Sequence, residues 1–185
     1  MPHDHVHLTL PAWIADEIGT ETVYPDDLSK MALAVRLSSR NVRETSGGPF
    51  GAALFTDTGR LLGVGVNRVV SQNCSLAHAE MLAFATAQQA MNRFRLNQNG
   101  ERIVLATSSQ PCAMCYGASF WAGIDAVLIG ARADDVQSLA GFDEGPLPAD
   151  WIGEWQKRGI NVRRDILRED ACAVLKAYGE SGLVY

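Results

Sequence analysis

The sequence predicts a single α/β domain built on a partly parallel five-stranded sheet. Three observations carry that prediction. Short apolar strands alternate with segments of helical period along the chain. Two of the strands, Ile103–Thr107 and Ala126–Gly130, are apolar without alternation, as expected of strands covered on both faces. The chain has 185 residues, a length that suits one domain with a substantial core.

The elements follow in order. Residues 1–24 form an N-terminal extension in which His3, His5 and His7 alternate, and a mobile or edge-lying tail is the expected form. The domain proper is expected over 25–185. Pro25-Asp26-Asp27 is a helix start, and Met31, Ala32, Ala34, Val35 and Leu37 give an apolar face up to about Arg43. Ser46-Gly47-Gly48-Pro49-Phe50-Gly51 is a turn, because three glycines and a proline do not extend a helix. Ala52–Thr56 and Leu61–Val66 are strands joined by the hairpin signal Asp57-Thr58-Gly59. A helix is predicted from about Ala77 to Phe94, and a second over Cys112–Ala122 with Pro111 near its first turn. Val136–Leu139 is a short helix, Ile160–Arg164 a fifth strand and Asp170–Glu180 a final amphipathic helix.

Composition narrows the function. No apolar run approaches the roughly 20 residues that cross a bilayer, and no basic region followed by an apolar stretch opens the chain, so a cytoplasmic protein is expected. The net charge of −5 argues against nucleic acid, whose binders neutralise phosphate with a basic face. A small-molecule substrate and no membrane or nucleic-acid partner are expected. Of the four cysteines, Cys112 and Cys115 form a CxxC pair that reads as metal-binding or redox. Cys74 and Cys172 are expected to be small buried side chains.

The chemistry gathers around His78, the one histidine beyond the first seven residues. It opens His78-Ala79-Glu80, and Pro111-Cys112-Ala113-Met114-Cys115 follows. Zinc takes histidine nitrogen and cysteine sulfur in tetrahedral geometry, and catalytic sites keep three protein ligands and one open position. Cys112 and Cys115 stand at i and i+3, which puts both sulfurs on one helix face. In a first turn, the unpaired N–H groups favour thiolate. Glu80 reads as acid and base, since zinc lowers the pKa of bound water to about 7 and a carboxylate beside it relays the proton. One difficulty is visible: residues two apart in a helix point about 200° from each other, so His78 and Glu80 converge only if the metal sits off the helix N-terminus. A structural site with Cys74 as fourth ligand is the alternative for the cysteines.

With H-x-E…P-C-x-x-C in place, the chain resembles the cytidine deaminase superfamily of zinc base deaminases. Within it, the chain is most similar to the bacterial guanine deaminases and relatives that also hydrolyse ammeline. Further motifs that carry the resemblance are Gly47-Gly48-Pro49-Phe50-Gly51-Ala52, Asn67, Trp121 and Gly141-Phe142-Asp143-Glu144-Gly145-Pro146. The resemblance implies a three-layer α/β/α fold with a central mixed sheet, one Zn²⁺ per subunit, and hydrolytic loss of an amino group from a free nucleobase, guanine to xanthine. It implies that Phe50 and Trp121 sandwich the base and that Asn67 hydrogen-bonds it. Ala79 and Asp143 join the substrate-binding set, and Glu144 binds the ring edge and assists Glu80 in proton transfer. Several guanine deaminases have Asp at the position of Glu144. The resemblance also implies a homodimer; in close relatives the C-terminal tail, in some cases a partner's, closes over the site, which would make Tyr185 a cap on the pocket. Ammeline or another amino-heterocycle, a tRNA adenosine substrate and a non-catalytic zinc domain are the competing readings; the acidic charge opposes the tRNA one.

Overall fold

The hairpin expected at the start of the domain is present. β1 (Gly51–Thr56) and β2 (Leu61–Val66) pair antiparallel, with Gly51 opposite Val66. In this computed structural model, which describes residues 5–18 and 23–182, β1 also pairs antiparallel with β3 (Ile103–Ser109). β3, β4 (Ala126–Ala131) and β5 (Asn161–Arg163) run parallel. The strand order β2-β1-β3-β4-β5 makes one mixed sheet of five strands.

The pleat sorts side chains into two cores. Along β1, Ala53 and Phe55 join Met31 and Leu33 of α2 (Asp27–Arg43) on one face. Val136 of α6 (Ala133–Ala140) and Leu175 of α8 (Arg168–Glu180) pack into the same layer. Ala52 and Leu54 face the opposite layer, which holds Ala83 and Phe84 of α4 (Ala79–Met91), Tyr116 of α5 (Ala113–Ala122) and Trp155 of α7 (Trp151–Gln156). Helices therefore cover both faces, and β1, β3 and β4 are buried along their whole length. This is the three-layer arrangement the sequence led us to expect.

Local chemistry sets the ends of the elements. Asp26 caps α2, accepting from Ser29 N at 2.7 Å while the Ser29 hydroxyl takes the Asp26 N–H, a reciprocal capping box. α4 and α5 begin later than expected, at Ala79 and Ala113, because His78 and Cys112 are extended N-cap residues outside the helical turns. α6 and α8 are longer than their apolar residues alone suggested, as polar first turns precede the buried positions.

Three short helices have no counterpart in the sequence reading: α1 (Ile14–Ile18) in the N-terminal extension, α3 (Val69–Gln72) and α7. Each has six residues or fewer, too few for a period to show. In α7, Gly153 interrupts the pattern, and it is required: a Cβ there would lie 2.1 Å from the Asp150 carboxylate that caps the helix through Gly153 N. α1 packs along α2, with Ile14 in the core and Glu17 paired to Arg36 and Arg40. His3 and Tyr185 lie outside the described residues.

The edge of the sheet where β2 and β3 end and β1 begins positions the site. Asn67 follows β2, Phe50 precedes β1, and β3 ends in buried Thr107, Ser108 and Ser109 just ahead of the CxxC segment. Ligands of open α/β sheets gather outside the carboxyl ends of their strands in this way.

Candidate metal centre and active site

Two helix N-termini converge at this edge. His78 is the N-cap of α4 at φ −71° and ψ 157°, and Cys112 is the N-cap of α5 at φ −66° and ψ 171°. Cys115 lies in the first turn of α5, fully buried. His78 Nδ1 is 3.5 Å from Cys112 Sγ and 3.8 Å from Cys115 Sγ. Zinc–nitrogen and zinc–sulfur bonds of about 2.0 and 2.3 Å at a tetrahedral angle require an N···S edge of about 3.5 Å. The three donors fit one zinc ion, and among the described residues they are the one His/Cys/Asp/Glu group with such spacing. Open N–H groups of both helix ends supply positive potential for the thiolates.

The cluster's own electrostatics point the same way. Hydrogen bonding from the Cys115 thiol, reinforced by His78, lowers the Cys112 pKa to about 4. The Cys115 thiol is pushed up, first by that same bond to Cys112 and then by burial. His78 is raised, chiefly by its bond to Cys112. A cation held by both sulfurs takes them as thiolates, so its binding releases protons from this cluster.

Glu80, only 7% exposed, lies one residue inside α4. The angular difficulty at His78 and Glu80 is resolved by the cap: His78 is extended backbone, so the 200° of a helix does not separate the pair. Burial is the main cause that raises the Glu80 pKa, with the negative Cys112 next. The Thr107 hydroxyl lies 3.0 Å from Glu80 Oε1 and 3.0 Å from the Ser109 carbonyl. It steadies the carboxylate from the end of β3.

A cavity of about 180 Å³ opens on these groups. At roughly 30 Å³ per water, it takes a small molecule. Phe50, Asn67, Ala79, Asp143 and Glu144, all expected from the resemblance, line it together with His78, Glu80 and Cys112. Asn67 is buried and Ala79 opens α4, where its N–H has no helical partner. The Glu144 carbonyl accepts from Ala113 N at 2.8 Å, docking the 141–150 segment on the start of α5. Burial, followed by the charge of Glu80, raises the Glu144 pKa to about 8. Asp143 accepts from Gly145 N and faces solvent at the rim.

Trp121 does not line this cavity. It ends α5 and is 79% exposed, in a surface groove with Met81 and Phe94. The ligand end of α5 faces the cavity, and nine residues at 1.5 Å rise put Trp121 about 13 Å along the axis. Phe142 stands beside Phe50 instead, their ring centroids 5.2 Å apart. Phe142, Gln110 and Thr107 were missed as site residues. An aromatic residue in the Gly/Pro-rich segment and polar residues ending an apolar strand were the available signals. Tyr185, expected as a cap, lies outside the described residues.

Cys74 is outside the ligand group and only partly buried. We expect Cys74→Ala to retain the wild-type metal content by elemental analysis; loss of metal would indicate a four-ligand structural site.

A cavity that presents carboxyl groups beside three donors spaced for one zinc ion, at the end of a sheet covered on both faces, suits a zinc-dependent hydrolase of amino groups. The chain belongs to the cytidine and deoxycytidylate deaminase family, whose zinc-binding region matches residues 25–131. It is 38% identical to the guanine deaminase of Bacillus subtilis (strain 168) over 111 residues, 60% of this chain and 67% of that protein. The structure of a guanine deaminase from Nitrosomonas europaea is 38% identical, with a TM-score of 0.91 over 97% of this chain and 99% of the other. A mutant of NE0047 in complex with 8-azaguanine matches with a TM-score of 0.92 and 38% identity, over 98% of this chain and 100% of that one.

Proposed function

We propose that this chain hydrolyses guanine to xanthine and ammonia, a step of purine breakdown in the cytoplasm. The observation that carries the reading is the near-complete structural match to a guanine deaminase, 97% of this chain at a TM-score of 0.91, combined with Glu80 and Glu144 facing one small cavity. One zinc ion per chain would be held by His78, Cys112 and Cys115. When bound, it supplies a water activated near neutral pH. Glu80 accepts the proton of the attacking water and passes it to the ring. Glu144 retains a proton near neutral pH, gives it to the departing amino group and recovers one from the hydroxyl left on the ring carbon, so that the carbonyl of xanthine forms as ammonia leaves. Phe50 stacks on the base with Phe142 beside it, Asn67 and the Ala79 N–H address its polar edge, and Asp143 closes the rim.

A homodimer is part of the reading. Its support is the exposed apolar groove of Trp121, Phe94 and Met81, a kind of patch that marks association surfaces. The C-terminal tail with Tyr185 would cap its own cavity or a partner's.

Ammonia release from guanine, ammeline, adenine, cytosine and cytidine tests the proposal. Guanine is expected to give the highest kcat/KM. No release from guanine, with release from ammeline, would move the activity to the amino-triazine and leave the catalytic groups in their roles.

A further inference from the structure

We propose that Asn41 is the positioning residue that holds the base-binding wall of the cavity in place. The inference rests on the reading of Phe50 and Asn67 as base-binding residues. Asn41 lies on α2, a helix that gives no side chain to the cavity lining, and it is completely buried. Its Nδ2 donates to the Gly48 carbonyl and to the Asn67 carbonyl, each at 2.8 Å. Its Oδ1 accepts from the Ser46 hydroxyl at 2.7 Å, which fixes the direction in which the amide faces. Both N–H groups and the carbonyl of one side chain are therefore committed.

The two carbonyls belong to two of the segments that line the cavity. Gly48 lies in the turn that delivers Phe50, and Asn67 follows the end of β2. Backbone contact between them is intimate: Asn67 N donates to Phe50 O at 3.0 Å, and a Cβ on Gly47 would lie 1.8 Å from the Asn67 carbonyl. Such an approach leaves no room for any residue but glycine. It also brings two carbonyl dipoles together in a buried place: the Asn67 carbonyl takes its donor from Asn41, and the Gly48 carbonyl, which accepts from Phe50 N at 2.9 Å, takes a second donor there. Only a primary amide offers two donors and one acceptor at this size. Aspartate would present oxygen to both carbonyls, and leucine would present nothing. None of Asn41's hydrogen bonds goes to a zinc ligand or to Glu80, so it acts on where the base sits rather than on the metal.

Zinc-loaded full-length wild type, Asn41→Leu and Ser46→Ala test this by two readouts, guanine kinetics and amide hydrogen exchange. For Asn41→Leu the expected result is a KM for guanine raised about 10- to 100-fold, kcat within about threefold and unchanged zinc content. Exchange at residues 47–51 and 67–69 should become faster while α4 and α5 keep their protection. Ser46→Ala frees the amide without emptying the site and should raise KM about threefold, so the proposal stays testable if Asn41→Leu does not fold. A lowered melting temperature with KM and local exchange unchanged would overturn it. If wild type releases no ammonia from guanine, the guanine reading fails by itself, and exchange at the two segments alone decides for or against Asn41.

Discussion

Glu80→Gln is expected to bind zinc as wild type does and to lower kcat by about 10²–10⁴, the range for a positioned acid–base group. Glutamine keeps the shape of the side chain, and the Thr107 hydroxyl 3.0 Å away still has an oxygen to meet. What disappears is the capacity to take a proton and return it. Because His78, Cys112 and Cys115 carry the ligand atoms, metal content by elemental analysis should not change. KM should change far less than kcat, since the proton relay operates in the transition state and not in the bound ground state. Near-normal ammonia release by a zinc-loaded Glu80→Gln enzyme would remove Glu80 from the reaction.

Glu144→Gln is the second large effect, and its sign is set by the raised pKa. Burial and the Glu80 charge hold the Glu144 carboxyl at about 8, against 4.5 ordinarily. The group is protonated below that value, so a step that draws on its proton runs at neutral pH and fades as pH rises through about 8. Wild-type kcat/KM should fall on that alkaline limb, whereas Glu144→Gln should lack the limb and be slower by about 10²-fold or more at pH 7. Stability follows the same linkage. The folded chain holds this proton more tightly than the unfolded one, so the contribution is full below pH 4.5 and is lost as pH rises towards 8. Urea unfolding at pH 6 and pH 9 should therefore show a drop in the wild type that is smaller in Glu144→Gln. An alkaline limb that survives the substitution would assign the titration to another group.

Much of this was legible in the sequence because it rests on spacing and period. The unbroken apolar runs at Ile103 and Ala126 told of strands buried on both faces, and they are the central parallel pair. The i, i+3 cysteines and the lone distal histidine led to three donors that now stand within 4.8 Å of one another. Other features were illegible for physical reasons. α1, α3 and α7 are too short to display a period. That His78 is a cap, and not a helical residue, depends on a backbone angle that no residue pattern encodes. Trp121 is assigned to the cavity by resemblance, yet its distance along α5 from the cysteines of the first turn decides its place. The place of Phe142 beside Phe50 depends on the docking of the 141–150 segment on α5, a long-range contact that no local pattern encodes.

That docking has a consequence for how the site responds to its ligands. The Glu144 carbonyl is bonded to the N–H of Ala113, which stands between the two cysteine ligands. The segment that carries Glu144 is thus hydrogen-bonded to the turn that carries the two cysteines, and whatever orders one orders the other. Two ligands that favour the same arrangement must tighten each other by equal factors. A bound base should raise the affinity for zinc as much as zinc raises the affinity for the base, making the substrate a guardian of the metal against chelation.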